Sequence, residues 1–77
     1  MLSVKIAREI RKDGTIISTI KSYDEWYGKY ETAVSFEFEQ TAWKILEGYP
    51  SKEEALKGHK RYCNMSTNEL EKIEGIG

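Results

Sequence analysis

His59 and Cys63 stand four residues apart, the spacing at which one helix offers two ligands to a zinc ion. A closed site needs two further ligands, and the chain contains no other histidine or cysteine. Nucleophilic catalysis needs an oriented base beside the nucleophile, and carboxylate chemistry needs a pair facing each other across a cleft. One histidine, one cysteine and no glycine-rich phosphate loop supply neither. No catalytic residue, metal site or cofactor is therefore expected, and the chain reads as a binding protein rather than an enzyme.

The element that carries His59 and Cys63 is the most legible in the chain. Pro50 forces Tyr49 into extended backbone, so a strand can end there. Ser51 and Glu54 have capping-box spacing, and Glu53 and Glu54 suit the positive end of a helix dipole. The helix then runs to Cys63, with Ala55, His59 and Tyr62 on one face, Leu56 and Cys63 widening it, and Lys52, Lys57, Lys60 and Arg61 in water. Gly58 is out of place in a helix, where glycine costs about 1 kcal/mol against alanine. Close packing of this helix on its own sheet explains it. The alternative is a ligand pocket between subunits formed by Gly58, His59 and Tyr62, which makes the protein a small-molecule or nucleotide sequestering oligomer.

Upstream, Val4, Ile6 and Ile10 alternate as a strand, and Asp13-Gly14 supplies a hairpin turn. A three-residue loop, Lys12-Asp13-Gly14 with the glycine left-handed, pairs Ile10 with Ile16 and Ile6 with Ile20. It gathers these isoleucines on one core-facing side and leaves only Ile17 stranded. Lys5, Arg8, Arg11, Lys12 and Lys21 make this hairpin basic, which offers a nucleic-acid surface as a further alternative. The aromatic residues lie elsewhere, in the acidic segment that follows, so nucleic acid is not the expected partner.

All the aromatic residues except Tyr62 fall between Tyr23 and Tyr49. Tyr23, Trp26, Tyr27 and Tyr30 recur at helical spacing and are the candidates for protein binding, since aromatics with polar handles are enriched at interfaces. Residues 31–49 then read as a second hairpin turning at Gln40-Thr41. That register sets Phe38 against Trp43, Phe36 against Ile45 and Glu37 against Lys44, with Val34 meeting Glu47 at the rim. Ser66 or Thr67 can cap a last short helix containing Leu70 and Ile73, and residues 66–77 read as either a short docked helix or a loosely attached tail. Leu70 to Gly77, LEKIEGIG, resembles the first half of a helix-hairpin-helix motif without the second helix whose amides would hold a phosphate.

At 77 residues and a formal charge of -1 the chain is one small α+β domain, residues 1–77. It consists of an antiparallel sheet of two β-hairpins, about four strands, packed against one main helix, with a short C-terminal helix. A domain of this size buries only about 60% of its unfolded surface, so a homo-oligomer is an open option. The lone cysteine fits a reducing cytoplasm, and no apolar run is long enough to span a membrane.

Tyr30-Glu31-Thr32-Ala33-Val34, followed by Tyr49 to His59 with its Glu53-Glu54-Ala55 and Gly58-His59, resembles small phage-encoded proteins with a YET-like strand and an EEAxxGH helix. The resemblance implies a bacteriophage accessory protein in the cytoplasm of a bacterial host. Together with the absence of catalytic residues, it leads to the expected function: stoichiometric binding of a host protein, as a modulator or an inhibitor of host defence.

Overall fold

The computed structural model of the chain describes residues 3–22, 29–37 and 42–76. Four strands, β1 (Ser3–Ile10), β2 (Ile16–Ser22), β3 (Tyr30–Ser35) and β4 (Lys44–Tyr49), are followed by α1 (Lys52–Cys63) and α2 (Thr67–Lys72). The strands form one antiparallel sheet in the order β1-β2-β3-β4, a meander in which every neighbour in sequence is a neighbour in space. The fold is α+β as expected, with the sheet on one side and the helices on the other.

The first turn follows the three-residue reading. Arg11 N donates to Thr15 O at 2.8 Å, Gly14 N donates to Arg11 O at 3.1 Å, and Gly14 takes the positive φ of 92° that glycine tolerates. Ile10 pairs with Ile16 as anticipated. Ile6 does not pair with Ile20, because a bulge at Ile6 brings Lys5 opposite Ile20 and Ala7 opposite Thr19. One extra residue reverses which side chains face which way, so Lys5 and Arg8, an odd step apart, share a face.

Ile17 is not stranded but central. It is fully buried and forms the core with Val34, Leu46 and Leu70, and Phe36, Tyr62, Cys63, Met65 and Ile73 pack around that cluster. Ile17 and Val34 are cross-strand partners on the helix-covered face. Ile10, by contrast, is 60% exposed on the other face. The second hairpin also departs from the anticipated register. β3 ends at Ser35, the chain passes Glu37 at φ 54°, and the pairs are Val34 with Lys44, Ala33 with Ile45 and Thr32 with Glu47. Phe36 therefore packs against the core under the Lys44 ammonium, 5.4 Å from its ring centre, instead of facing Ile45. The anticipated turn residues Gln40 and Thr41, and Phe38, lie outside the described residues.

α1 starts where its sequence says it should, with the Ser51 hydroxyl accepting from the Glu54 amide. Ala55 and Gly58 are its buried positions, and Leu56 lies outside the packed face, 43% exposed. α2 opens with a full capping box, Ser66 and Glu69 each accepting from the other's amide. The segment that starts there is docked. Leu70 is fully buried, the Lys44 ammonium donates to Leu70 O and Ile73 O at 2.8 Å each, and Ile76 N donates to Ile45 O at 2.9 Å on the outer edge of β4. A cation against the last carbonyls of a helix also complements its dipole.

Candidate functional site

The residues with the most chemical potential in the sequence meet at the seam between α1 and the sheet. His59 Nδ1 lies 2.7 Å from Thr19 Oγ1, Thr19 Oγ1 lies 2.6 Å from Thr32 Oγ1, and the Tyr49 hydroxyl donates to Thr32 Oγ1 at 3.1 Å. Thr19 and Thr32 face each other across β2 and β3, so the register itself builds this line of hydroxyls. Tyr49 rises from β4 against Gly58, and the space that a glycine opens on the helix is taken by its phenol. Burial pushes the Tyr49 phenol up to about 12, and it stays protonated. The candidate ligand residues Gly58 and His59 are thus engaged with Tyr49 and Thr19, and Tyr62 packs on the core with the Arg61 guanidinium 5.1 Å from its ring centre.

Burial holds the His59 imidazole below its ordinary 6.5, with the Glu9 carboxylate opposing the shift. The unfolded chain therefore binds a proton that the folded chain resists. The contribution is intact above about pH 6.5 and is lost as pH falls through the folded value. Thermal midpoints should fall between pH 7 and pH 5, and His59→Gln should flatten that slope. An unchanged slope in the variant would assign it to other groups. Burial also raises the Cys63 thiol, which leaves it protonated and unreactive near neutrality. Among the described residues, no three of His, Cys, Asp and Glu gather closely enough to hold a metal ion.

The basic residues of the first hairpin separate. Lys5 and Arg8 point away from α1, whereas Arg11 turns under the helices and donates to Cys63 O, Met65 O, Thr67 Oγ1 and Glu9 at 2.7 to 3.3 Å. Lys21 lies opposite Val4 and faces the α1 side, and Lys12 is exposed in the turn. Arg11 and the neighbouring Asp13, which accepts from Thr15 N and Thr67 Oγ1, fasten the hairpin turn to the junction of α1 and α2. Those two hydrogen bonds, the backbone one foremost, hold the Asp13 carboxyl below its usual range. Of the protein-binding candidates, Tyr30 is half-buried at the start of β3, and Tyr23, Trp26 and Tyr27 lie outside the described residues.

Two surfaces remain, and neither is apparent from residue types alone. The first is the outer edge of β1, which ends the sheet. The second is a groove of about 380 Å³ on the face opposite α1. One row of cross-strand partners, Arg8, Ser18, Ala33 and Ile45, and a second row, Lys5, Ile20 and Glu31, line it, with Trp43 at its wall. Small side chains at the centre of the first row leave the hollow. Arg8 from the first strand comes within 5.9 Å of the ring centre of Trp43, just before the last. Strands set about 4.8 Å apart leave β1 and β4 about 14 Å from each other, a gap that the long Arg8 side chain and the Trp43 indole bridge from opposite sides, so their contact closes the groove over the two central strands.

No family model, curated protein or solved structure matches this chain. Its surfaces must carry the functional reading.

Proposed function

We propose that the protein acts by stoichiometric binding, taking a strand of a host protein onto the free edge of its sheet. The observation that supports this reading is the state of β1. The other edge, β4, is met by the chain's own tail through Ile76 N and Ile45 O. β1 has no strand beyond it among the described residues. Two of its three large apolar side chains, Val4 and Ile10, are 49% and 60% exposed on opposite faces of the sheet. An added strand flanks both faces of an edge at once, and would cover such a pair where a partner docking on one face would not.

The bulge at Ile6 divides the edge and leaves Ala7–Ile10 as its straight run. The Arg11 amide bonds to Thr15, so by antiparallel alternation Glu9 and Ala7 turn their backbone groups to β2, and Ile10 and Arg8 turn theirs outward. Ile10→Pro then removes an outward amide without touching the β1–β2 ladder. Ile10→Lys keeps the amide and removes the apolar contact. The likeness to small phage-encoded proteins supplies the setting, a bacterial cytoplasm with a host protein as target.

The test is affinity recovery of a partner from bacterial lysate, followed by rebinding of the purified partner with measured stoichiometry. A one-to-one complex weakened at least tenfold by Ile10→Pro, in a variant that keeps the wild-type unfolding midpoint, is the expected result. A partner bound equally well by both Ile10 variants would remove the β1 edge from the reading. Recovery of the chain only as its own dimer, sensitive to the same substitutions, would make the edge a self-association surface instead.

A further inference from the structure

We propose that the groove on the sheet face opposite α1 is a binding site for a small planar aromatic molecule carrying one negative charge. This inference is independent of the β1 edge. Its volume of about 380 Å³ lies within the range of small-ligand sites, which are typically apolar hollows with a few placed polar groups. The floor and wall come from Ile20, Ala33, Ile45 and Trp43, an apolar surface with one large ring to stack on.

Charge selects the ligand's sign. Lys5 and Arg8 stand on the first strand and Glu31 on the third, so two cations face one carboxylate and the lining is net positive. A single anionic group balances it, whereas a cation meets repulsion from two sides. A planar ring beside Trp43 lies within reach of the Arg8 guanidinium, which already rests over the indole and favours the face or rim of a π system.

Ser18 and Ala33 are neighbours across β2 and β3 at the middle of the groove, and their short side chains leave room for a ring above them. The Ser18 hydroxyl has no hydrogen-bond partner among the described residues, but its oxygen is sealed from solvent and out of a ligand's reach, so shape and charge define the site.

The experiment titrates 2-naphthoate into the full chain by calorimetry, with 2-naphthylmethylammonium as the oppositely charged counterpart. The anion should bind at least about tenfold more tightly than the cation, and Arg8→Gln should weaken it about fivefold or more. Ala33→Leu fills the hollow and should abolish binding. Should that variant unfold, Arg8→Gln at the exposed rim carries the test. Equal binding of anion and cation, no heat from 2-naphthoate at millimolar concentration, or binding indifferent to Arg8→Gln overturns the proposal. Ile10→Pro should leave naphthoate binding unchanged, which keeps this test separate from that of the β1 edge.

Discussion

Gly58→Val should lower the unfolding free energy by about 3 kcal/mol, near the upper end of ordinary overpacking effects. A Cβ at Gly58 would fall on the hydroxyl and ring carbons of Tyr49. That ring cannot swing aside cheaply. It is 5% exposed, and its hydroxyl is committed to Thr32, which is itself bonded to Thr19. Either the helix lifts from the sheet or the hydroxyl line breaks, and both leave buried polar atoms unsatisfied. Valine offsets little of this through helix propensity, because β-branching removes much of what is gained over glycine. A chain of this length has a total stability of roughly 4–12 kcal/mol, so the loss should be plain as a lower urea midpoint. The double variant Gly58→Val, Tyr49→Leu should be less destabilised than the sum of its parts, since the second change removes the obstruction met by the first. Strict additivity would mean that Tyr49 is not what Gly58 accommodates.

The same position shows what was legible in the sequence. Glycine inside an otherwise sound helix announces a close approach, and Pro50, Ser51 and Glu54 locate the helix start, because these signals act within one turn of chain. Asp13-Gly14 identifies the first loop for the same reason. Long-range parity is different. Ile6 carries no mark of a bulge, yet the bulge decides that Lys5 and Arg8 share a face. Ile16 and Ile17 are adjacent and both buried, one on each face, since the helices cover one side of β2 and the other side is buried in turn. Alternation cannot identify the core face of such a strand.

The second hairpin lacks a strong turn former. Aromatic pairing then favours a register that sets Glu37 against Lys44, whereas Val34 stands opposite Lys44. Its ammonium serves the end of α2 instead. The groove inherits both difficulties: Ser18, Ala33 and Ile45 form a row only in the observed register. Two small residues in separate strands were its sole trace in the sequence.

Leu70→Ala should cost about 2–5 kcal/mol, the range for removing a large buried aliphatic side chain, and the position argues for the upper half. Leu70 is the one buried residue of α2, a helix of six residues that has no stability of its own apart from its caps. It closes the cluster of Ile17, Val34 and Leu46, so truncation opens a cavity against two central strands and one edge strand. Apart from Ile73 at its C-cap, which packs against the same cluster, the remaining attachments of α2 are polar: the contacts of Asp13, Arg11 and Thr15 to Thr67, the Lys44 ammonium and the capping box. These fix orientation but add only modest net free energy, as exchangeable hydrogen bonds do. In urea the variant should unfold at a markedly lower midpoint. Amides 67–73 should also exchange faster than those of β2 and β3, because the segment loses its anchor while the sheet keeps its ladder. A lower midpoint with uniform loss of protection would make α2 part of one cooperative unit with the sheet. An unchanged midpoint would show that the core closes without α2.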